Sequence, residues 1–199
     1  ATDSLNVAIG HLAGEKVTSG VQNTFIGGLS GDATTTGSTN TAVGYNSLTA
    51  NTTADNNTAV GFESLKANTT GHENTASGRR SLKANTTGSD NTGFGNAALL
   101  LNTTGAQNTA IGSGSLVSNT TGTNLTSAGT DASSANTTGG DNSSFGRSAL
   151  QACTTGANNT AVGSSALAAN TTASSNSAFG KAALTANTTG TGNNAFGIQ

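Results

Sequence analysis

The chain has 199 residues, of which 32% are apolar, 4% aromatic and 8% charged, with 28 Gly and no Pro, Met or Trp. Counted with its Gly the apolar share is close to the roughly 45–50% of a globular domain, but six Phe, one Tyr and no Trp or Met are too few large side chains to fill a mixed globular core, while the scarcity of charge and the absence of Pro are equally unlike a disordered tail. The formal net charge of −2 comes from seven Lys and Arg and nine Asp and Glu scattered singly, which leaves no basic stripe for nucleic acid. No apolar run approaches the ~18–20 residues of a membrane span, and no signal segment opens the chain. The expectation is no nucleic-acid partner and no membrane insertion in this segment, which reads as a processed or excised piece of a longer protein.

Residues 1–5 read as a lead-in. From Asn6 to the end the chain is one repeat domain, 6–199, because the string Asn-Thr-Ala-Val-Gly at Asn40–Gly44 returns at Asn57–Gly61 and Asn159–Gly163 in a single register of 17 residues. The unit is Asn-Thr-Ala-Φ-Gly-x-x-Ser/Ala-Leu-x-Ala-Asn-Thr-Thr-Gly-x-x, with Φ being Val, Ile or Phe; 12 copies begin at residues 6, 23, 40, 57, 74, 91, 108, 125, 142, 159, 176 and 193 without an insertion. Seventeen residues are too few for a helical pair and fit one coil of a solenoid.

Within each coil the elements follow in order. Thr-Ala-Φ at unit positions 2–4 predicts a short strand. The Gly at position 5 predicts a corner that needs positive φ or a close approach of backbone; it is present in all 12 copies, as Gly10, Gly27, Gly44, Gly61, Gly78, Gly95, Gly112, Gly129, Gly146, Gly163, Gly180 and Gly197. A second strand is expected through Leu-x-Ala and a third through Asn-Thr-Thr, ending at a less demanding corner at position 15, where Ala54 and Ala173 replace Gly. A helix between Gly and Asn-Thr-Thr would be too short to nucleate. The fold expected is all-β, a parallel β-solenoid or β-roll of about 12 coils with 17 residues per coil.

Stacking at about 4.8 Å turns the unit positions into columns. The Φ and Leu columns are expected to form two apolar spines, and the Asn column at position 1 to form a ladder of amides bonded up and down the stack. Charged residues such as Glu63, Lys66, Arg79, Arg80 and Lys181 fall at variable positions, where an outward solvated face is expected. A core this thin favours several chains pooling their apolar surface.

The string Asn-Val-Ala-Ile-Gly at Asn6–Gly10, followed by Ala13 and Gly14, resembles the repeat of YadA-type trimeric autotransporter adhesin heads, and the Asn-Thr-Ala-Val-Gly strings are similar to repeats of phage tail fibres. The resemblance covers residues 6–199 and rests on the Ala-Φ-Gly corner, the Ser or Ala after it and the later Gly. It implies a left-handed parallel β-roll assembled as a homotrimer or filament, placed outside the cell, on a cell surface or in a virion fibre. The coil here is longer than that family's, with the surplus near Asn-Thr-Thr.

Site chemistry finds little footing. His11 and His72 occupy different unit positions and so different columns. Cys153, the sole Cys, replaces the Asn of position 12 with no His in its coil to activate it. The Gly pairs Gly27-Gly28 and Gly139-Gly140 lack the Lys-Ser/Thr of a phosphate loop. No catalytic residue, metal ligand or cofactor is assigned, and the chain is not read as an enzyme. The recurrent Asn-Thr-Thr is an N-glycosylation acceptor at Asn51, Asn68, Asn85, Asn102, Asn119, Asn136, Asn170 and Asn187. If these side chains face solvent, as expected here, covalent glycans could coat the filament. Acceptors at Asn56, Asn124, Asn142 and Asn158 depend on neighbours that do not recur.

The sequence thus points to a structural repeat segment of an extracellular fibre or filament, an adhesin head or shaft or a tail-fibre-like spacer. Its rival is an ice-binding solenoid presenting ranks of Thr from positions 13 and 14. Those two positions are adjacent along the chain, so only one of them can face outward.

Overall fold

The computed structural model describes residues 4–198; Ala1–Asp3 of the lead-in and Gln199 lie outside it. Each repeat contributes one three-residue strand: β1 (Val7–Ile9), β2 (Thr24–Ile26), β3 (Thr41–Val43), β4 (Thr58–Val60), β5 (Thr75–Ser77), β6 (Thr92–Phe94), β7 (Thr109–Ile111), β8 (Thr126–Ala128), β9 (Ser143–Phe145), β10 (Thr160–Val162), β11 (Ser177–Phe179) and β12 (Asn194–Phe196). They form a single parallel sheet in sequence order. The register is that of the repeat, with Thr41 opposite Thr58, Ala42 opposite Ala59 and Val43 opposite Val60. The chain is therefore an all-β parallel β-solenoid of about 11 turns, and no helix occurs among the described residues.

Strand formation at positions 2–4 follows from Thr, Val and Ile, which suit a pleated surface, and the strand ends where Gly turns the chain. At Gly44 φ is 132°, and a Cβ there would come within 2.6 Å of the Gly61 carbonyl oxygen in the next coil. Both the backbone angle and the neighbouring coil therefore demand Gly at position 5. At position 15 the backbone has no such angle, so Ala54 and Ala173 carry no backbone strain there, although a Cβ on Gly71 would press against the Gly88 carbonyl oxygen and the coil must shift locally to take Ala.

The expected second and third strands do not form. After Gly the chain runs through successive turns over positions 6–11 and then bends. Residues at positions 7, 9 and 17 adopt left-handed φ, for example Asn46 at 56°, Leu48 at 52° and Asn56 at 60°. A left-handed residue between right-handed ones still directs amides along the stack. Asn46 N–H donates to the Gly28 carbonyl one coil back (3.1 Å), and Leu48 N–H to the Ser64 carbonyl one coil on (3.0 Å). The coils are thus hydrogen-bonded almost throughout, with strand geometry on one side only.

The interior also differs from the expected pair of spines. Side chains alternate across a strand, and here position 3 points inward, with Ala42, Ala59, Ala76, Ala110, Ala161 and Ala178 fully buried. The Φ column points out. The Leu column is inside as expected, from Leu48 to Leu167 at no exposure except where the repeat varies. A left-handed Leu costs roughly 1–2 kcal/mol, a strain offset by burying the whole side chain.

The remaining interior is amide. The position-1 column forms the expected ladder: Asn57 accepts at Oδ1 from the Asn74 backbone N–H (3.0 Å) and from its Nδ2 (3.2 Å), while Asn57 Nδ2 donates to the Gly71 carbonyl (3.0 Å). The position-12 column forms a second ladder. Asn85 Nδ2 donates to Asn68 Oδ1 (2.8 Å) and to the Gly88 carbonyl (2.9 Å). Both ladders thus converge on the carbonyl of position 15, and buried polar atoms are satisfied by their own copies one coil away.

Candidate functional site

The second ladder overturns the expectation that the Asn-Thr-Thr asparagines face solvent. Asn51, Asn68, Asn85, Asn102, Asn119, Asn136 and Asn170 are buried inside the coil, and Asn187, near the end of the stack, is half-buried. Their side-chain amides are donors in the ladder, so a glycan on them would require both exposure and the loss of those bonds. Of the weaker acceptors, Asn142 is buried too, while Asn56, Asn124 and Asn158 are exposed at unit position 17.

Position 13 is likewise committed. Thr69 Oγ1 donates to the Thr86 carbonyl (3.0 Å), and Thr86 Oγ1 to that of Thr103 (3.0 Å). Thr70, Thr87 and their equivalents at position 14 are exposed, so a single column of Thr faces water on that side of the coil.

What the fold exposes over its length is the outer face of the sheet. Positions 2 and 4 of every strand point out, giving a rank of Thr beside a rank of Φ. Ile9, Ile26, Val60, Phe94, Ile111, Phe145, Phe179 and Phe196 are all exposed, Phe94 at 57% and Ile111 at 48%; Ser77 and Ala128 break the column. The Phe179 and Phe196 rings stack with centroids 4.9 Å apart. Just beyond the Gly corner, Tyr45 and Phe62 stack at 5.9 Å and widen the apolar strip. An apolar strip of this extent, interrupted only at Ser77 and Ala128, is larger than the scattered exposed apolar residues usual on an isolated chain. Periodicity alone could not show it, because Φ and Ala alternate and either could have been the inner residue.

Charge chemistry gathers at one place. Glu63, expected to be solvated, is buried beneath Lys66 Nζ (2.8 Å), Lys83 Nζ (2.8 Å) and Arg80 Nε (3.1 Å). The hydrogen bonds from Lys66 and Lys83 hold its carboxyl at about 2, against an ordinary 4.5, with desolvation opposing them. The three cations rim an open recess of about 550 Å³ floored by Ala67, Ala84 and Leu100. All three converge on the single Glu63 carboxylate, so the arrangement braces coils 4 and 5 and leaves a local excess of positive charge.

Cys153 is buried, and desolvation pushes its thiol pKa up, which disfavours the reactive thiolate. It also interrupts the second ladder: Asn170 Nδ2 meets Sγ at 3.8 Å, and Asn136 Oδ1 is left without a partner. His11 and His72 are exposed on different columns, and among the described residues no group of three or more His, Cys, Asp or Glu is placed to hold a metal ion. Comparison of the chain with protein-family models, with curated proteins and with solved structures found no match.

Proposed function

We propose that this chain is a structural segment of an extracellular fibre or filament, a spacer or adhesive shaft that acts through its shape and through self-association, and not a catalyst. The observation that carries this reading is the exposed Thr and Φ face, an apolar strip in one register along the sheet, broken only at β5 and β8. Burial of Φ side chains between copies supplies apolar contact that the thin interior of Ala, Leu and Asn does not. Three chains around a common axis, each turning its strand face inward, are the assembly we favour.

Position 4 tolerates small residues, as Ser77 and Ala128 demonstrate, so the face can be made polar without disturbing the coil. Changing Ile26, Val60, Phe94, Ile111 and Phe145 to Ser is expected to leave the circular dichroism spectrum unchanged while converting the assembly to monomers in light scattering. A stable, folded monomer of the unsubstituted chain at micromolar concentration would overturn the reading.

Ice binding remains the second reading, because a parallel sheet with an outward Thr rank at about 4.8 Å spacing is a repeating hydroxyl surface. Against it, the neighbouring rank varies from Ser77 and Ala128 to Phe94, Phe145 and Phe179, so the face is uneven where an ice lattice needs flatness. Thermal hysteresis that disappears when Thr58, Thr75 and Thr92 are replaced by bulky residues would favour ice over self-association.

A further inference from the structure

Each strand has a leading edge, made by positions 16 and 17 of the coil before it, and a trailing edge, made by positions 6 and 7 of its own coil. Two strands carry opposite charges on their two edges. β5 is preceded by Glu73 and followed by Arg79; β9 is preceded by Asp141 and followed by Arg147. The unit positions are the same in both cases, and the two pairs lie four coils apart.

All four side chains are exposed, and none takes part in an ion pair among the described residues, where every ion pair converges on Glu63. Asp141 accepts one hydrogen bond, from Asn124 Nδ2 (3.1 Å). The partners of one strand cannot reach each other, since three strand residues alone span about 10 Å and corner residues add to that. Stacking supplies no counter-ion to the two carboxylates, and on the trailing edge Glu63 and Asp131, one coil before Arg79 and Arg147, form no ion pair with those arginines. The leading edge carries Asp55, Glu73 and Asp90 on successive coils, beside His72 and without a Lys or Arg, and like charges stacked this closely repel.

We propose that copies of this chain pack side by side, parallel and without axial shift, the trailing edge of one against the leading edge of the next, so that Arg79 and Arg147 face Glu73 and Asp141 of the neighbouring copy. A shift by one coil still sets a carboxylate near Arg79, from Asp90 or Asp55, but it leaves Arg147 opposite Asn158 or Asn124. Zero shift therefore satisfies both arginines with full overlap of the sheets. Antiparallel packing sets like edge against like edge. Contact between unlike edges is heterologous and closes into a ring when the strand faces turn inward. This inference rests on the self-association proposed above and adds its direction and register.

Disulfide trapping in the full chain, in a Cys153→Ser background, tests it. The variant Glu73→Cys with Arg79→Cys cannot bridge within one chain, because a disulfide needs Cα atoms within about 7 Å. Mild oxidation should therefore link neighbouring copies into closed covalent oligomers. The variant Glu73→Cys with Asn96→Cys, which requires a shift of one coil, should stay unlinked. Independently, Arg79→Glu should weaken association by roughly threefold to tenfold at low salt, and adding Glu73→Arg should restore it. Equal linking of the shifted pair, or no linking in a chain that still associates, overturns the register while leaving self-association intact. An unsubstituted chain that is monomeric throughout overturns both.

Discussion

At coils 1 and 2, and again at coil 8, the Leu of unit position 9 is absent, and the two regions fill the space in opposite ways. In the first, Gly14 and Gly31 leave room that a single ring occupies: Phe25, standing where other coils have Ala, is buried at 1% exposure, and a Cβ on Gly14 would meet its ring at 2.8 Å. In the second, Ser133 replaces Leu and joins a hydroxyl cluster, with Ser144 Oγ 2.8 Å from Ser127 Oγ and 2.9 Å from Ser133 Oγ, while Ser127 donates to the Ala132 carbonyl (3.0 Å). The displaced apolar volume reappears at Leu125, which takes the place of a ladder Asn and is buried at 1%. One site repairs the column with bulk and the other with hydrogen bonds. The apolar interior accordingly divides into one cluster ending at Leu125 and another beginning at Ala149.

The largest effect should come from removing the ring. Phe25→Ala is expected to cost about 3–5 kcal/mol, read as loss of amide protection in coils 1–3 by hydrogen exchange, with coils 8 and 9 unaffected. Adding Gly14→Leu and Gly31→Leu, which restores the common pattern, should recover most of that loss. If the triple variant is no better than Phe25→Ala, the account of one ring replacing two leucines is wrong.

A smaller effect is expected at the serines. Ser144→Ala removes two hydroxyl contacts and strands Ser133 Oγ, at about 1–3 kcal/mol in denaturant titration. Changing Ser127 and Ser144 to Ala and Ser133 to Leu together replaces the cluster by apolar groups and should be neutral or stabilising, since no buried hydroxyl then lacks a partner. A triple variant less stable than the single one would show the serines to be more than a substitute for Leu.

Next to this region Cys153→Asn should gain about 1 kcal/mol, because the new amide reaches the unpartnered Asn136 Oδ1 and rejoins the ladder at Asn170; a lower unfolding midpoint would contradict the ladder's role. The last effect belongs to acid. With its folded pKa lowered to about 2 from 4.5, Glu63 stabilises coils 4 and 5 fully above about pH 5, and this contribution is lost as the pH falls toward 2. Exchange protection around Lys66 and Lys83 should fall over that range in the parent and stay flat in Glu63→Gln, with both regions that lack the position-9 Leu unchanged.

The repeat fixed much of this in advance. An unbroken frame of 17 residues, Gly at position 5 in every copy and the position-1 Asn column were enough to specify a parallel solenoid in 17-residue register, since each residue stacks on its own equivalent and only Gly fits a φ near 130° against the next coil's carbonyl. Which way the side chains point was not legible. In Thr-Ala-Val either alternate set could be inner, and the small Ala went inside because Leu48 and its equivalents, entering from the turn opposite, already fill the narrow coil. The conversion of the Leu segment from strand to left-handed turns was equally hidden, as Leu has no local preference for positive φ and accepts it only for complete burial. Asn-Thr-Thr looked like an accessible surface motif, yet its Asn turned inward because a second amide ladder could satisfy the carbonyl of position 15 from the other side. Local sequence set the period, the corner and the register; closure of the coil chose the inner face, and so left the Φ column exposed.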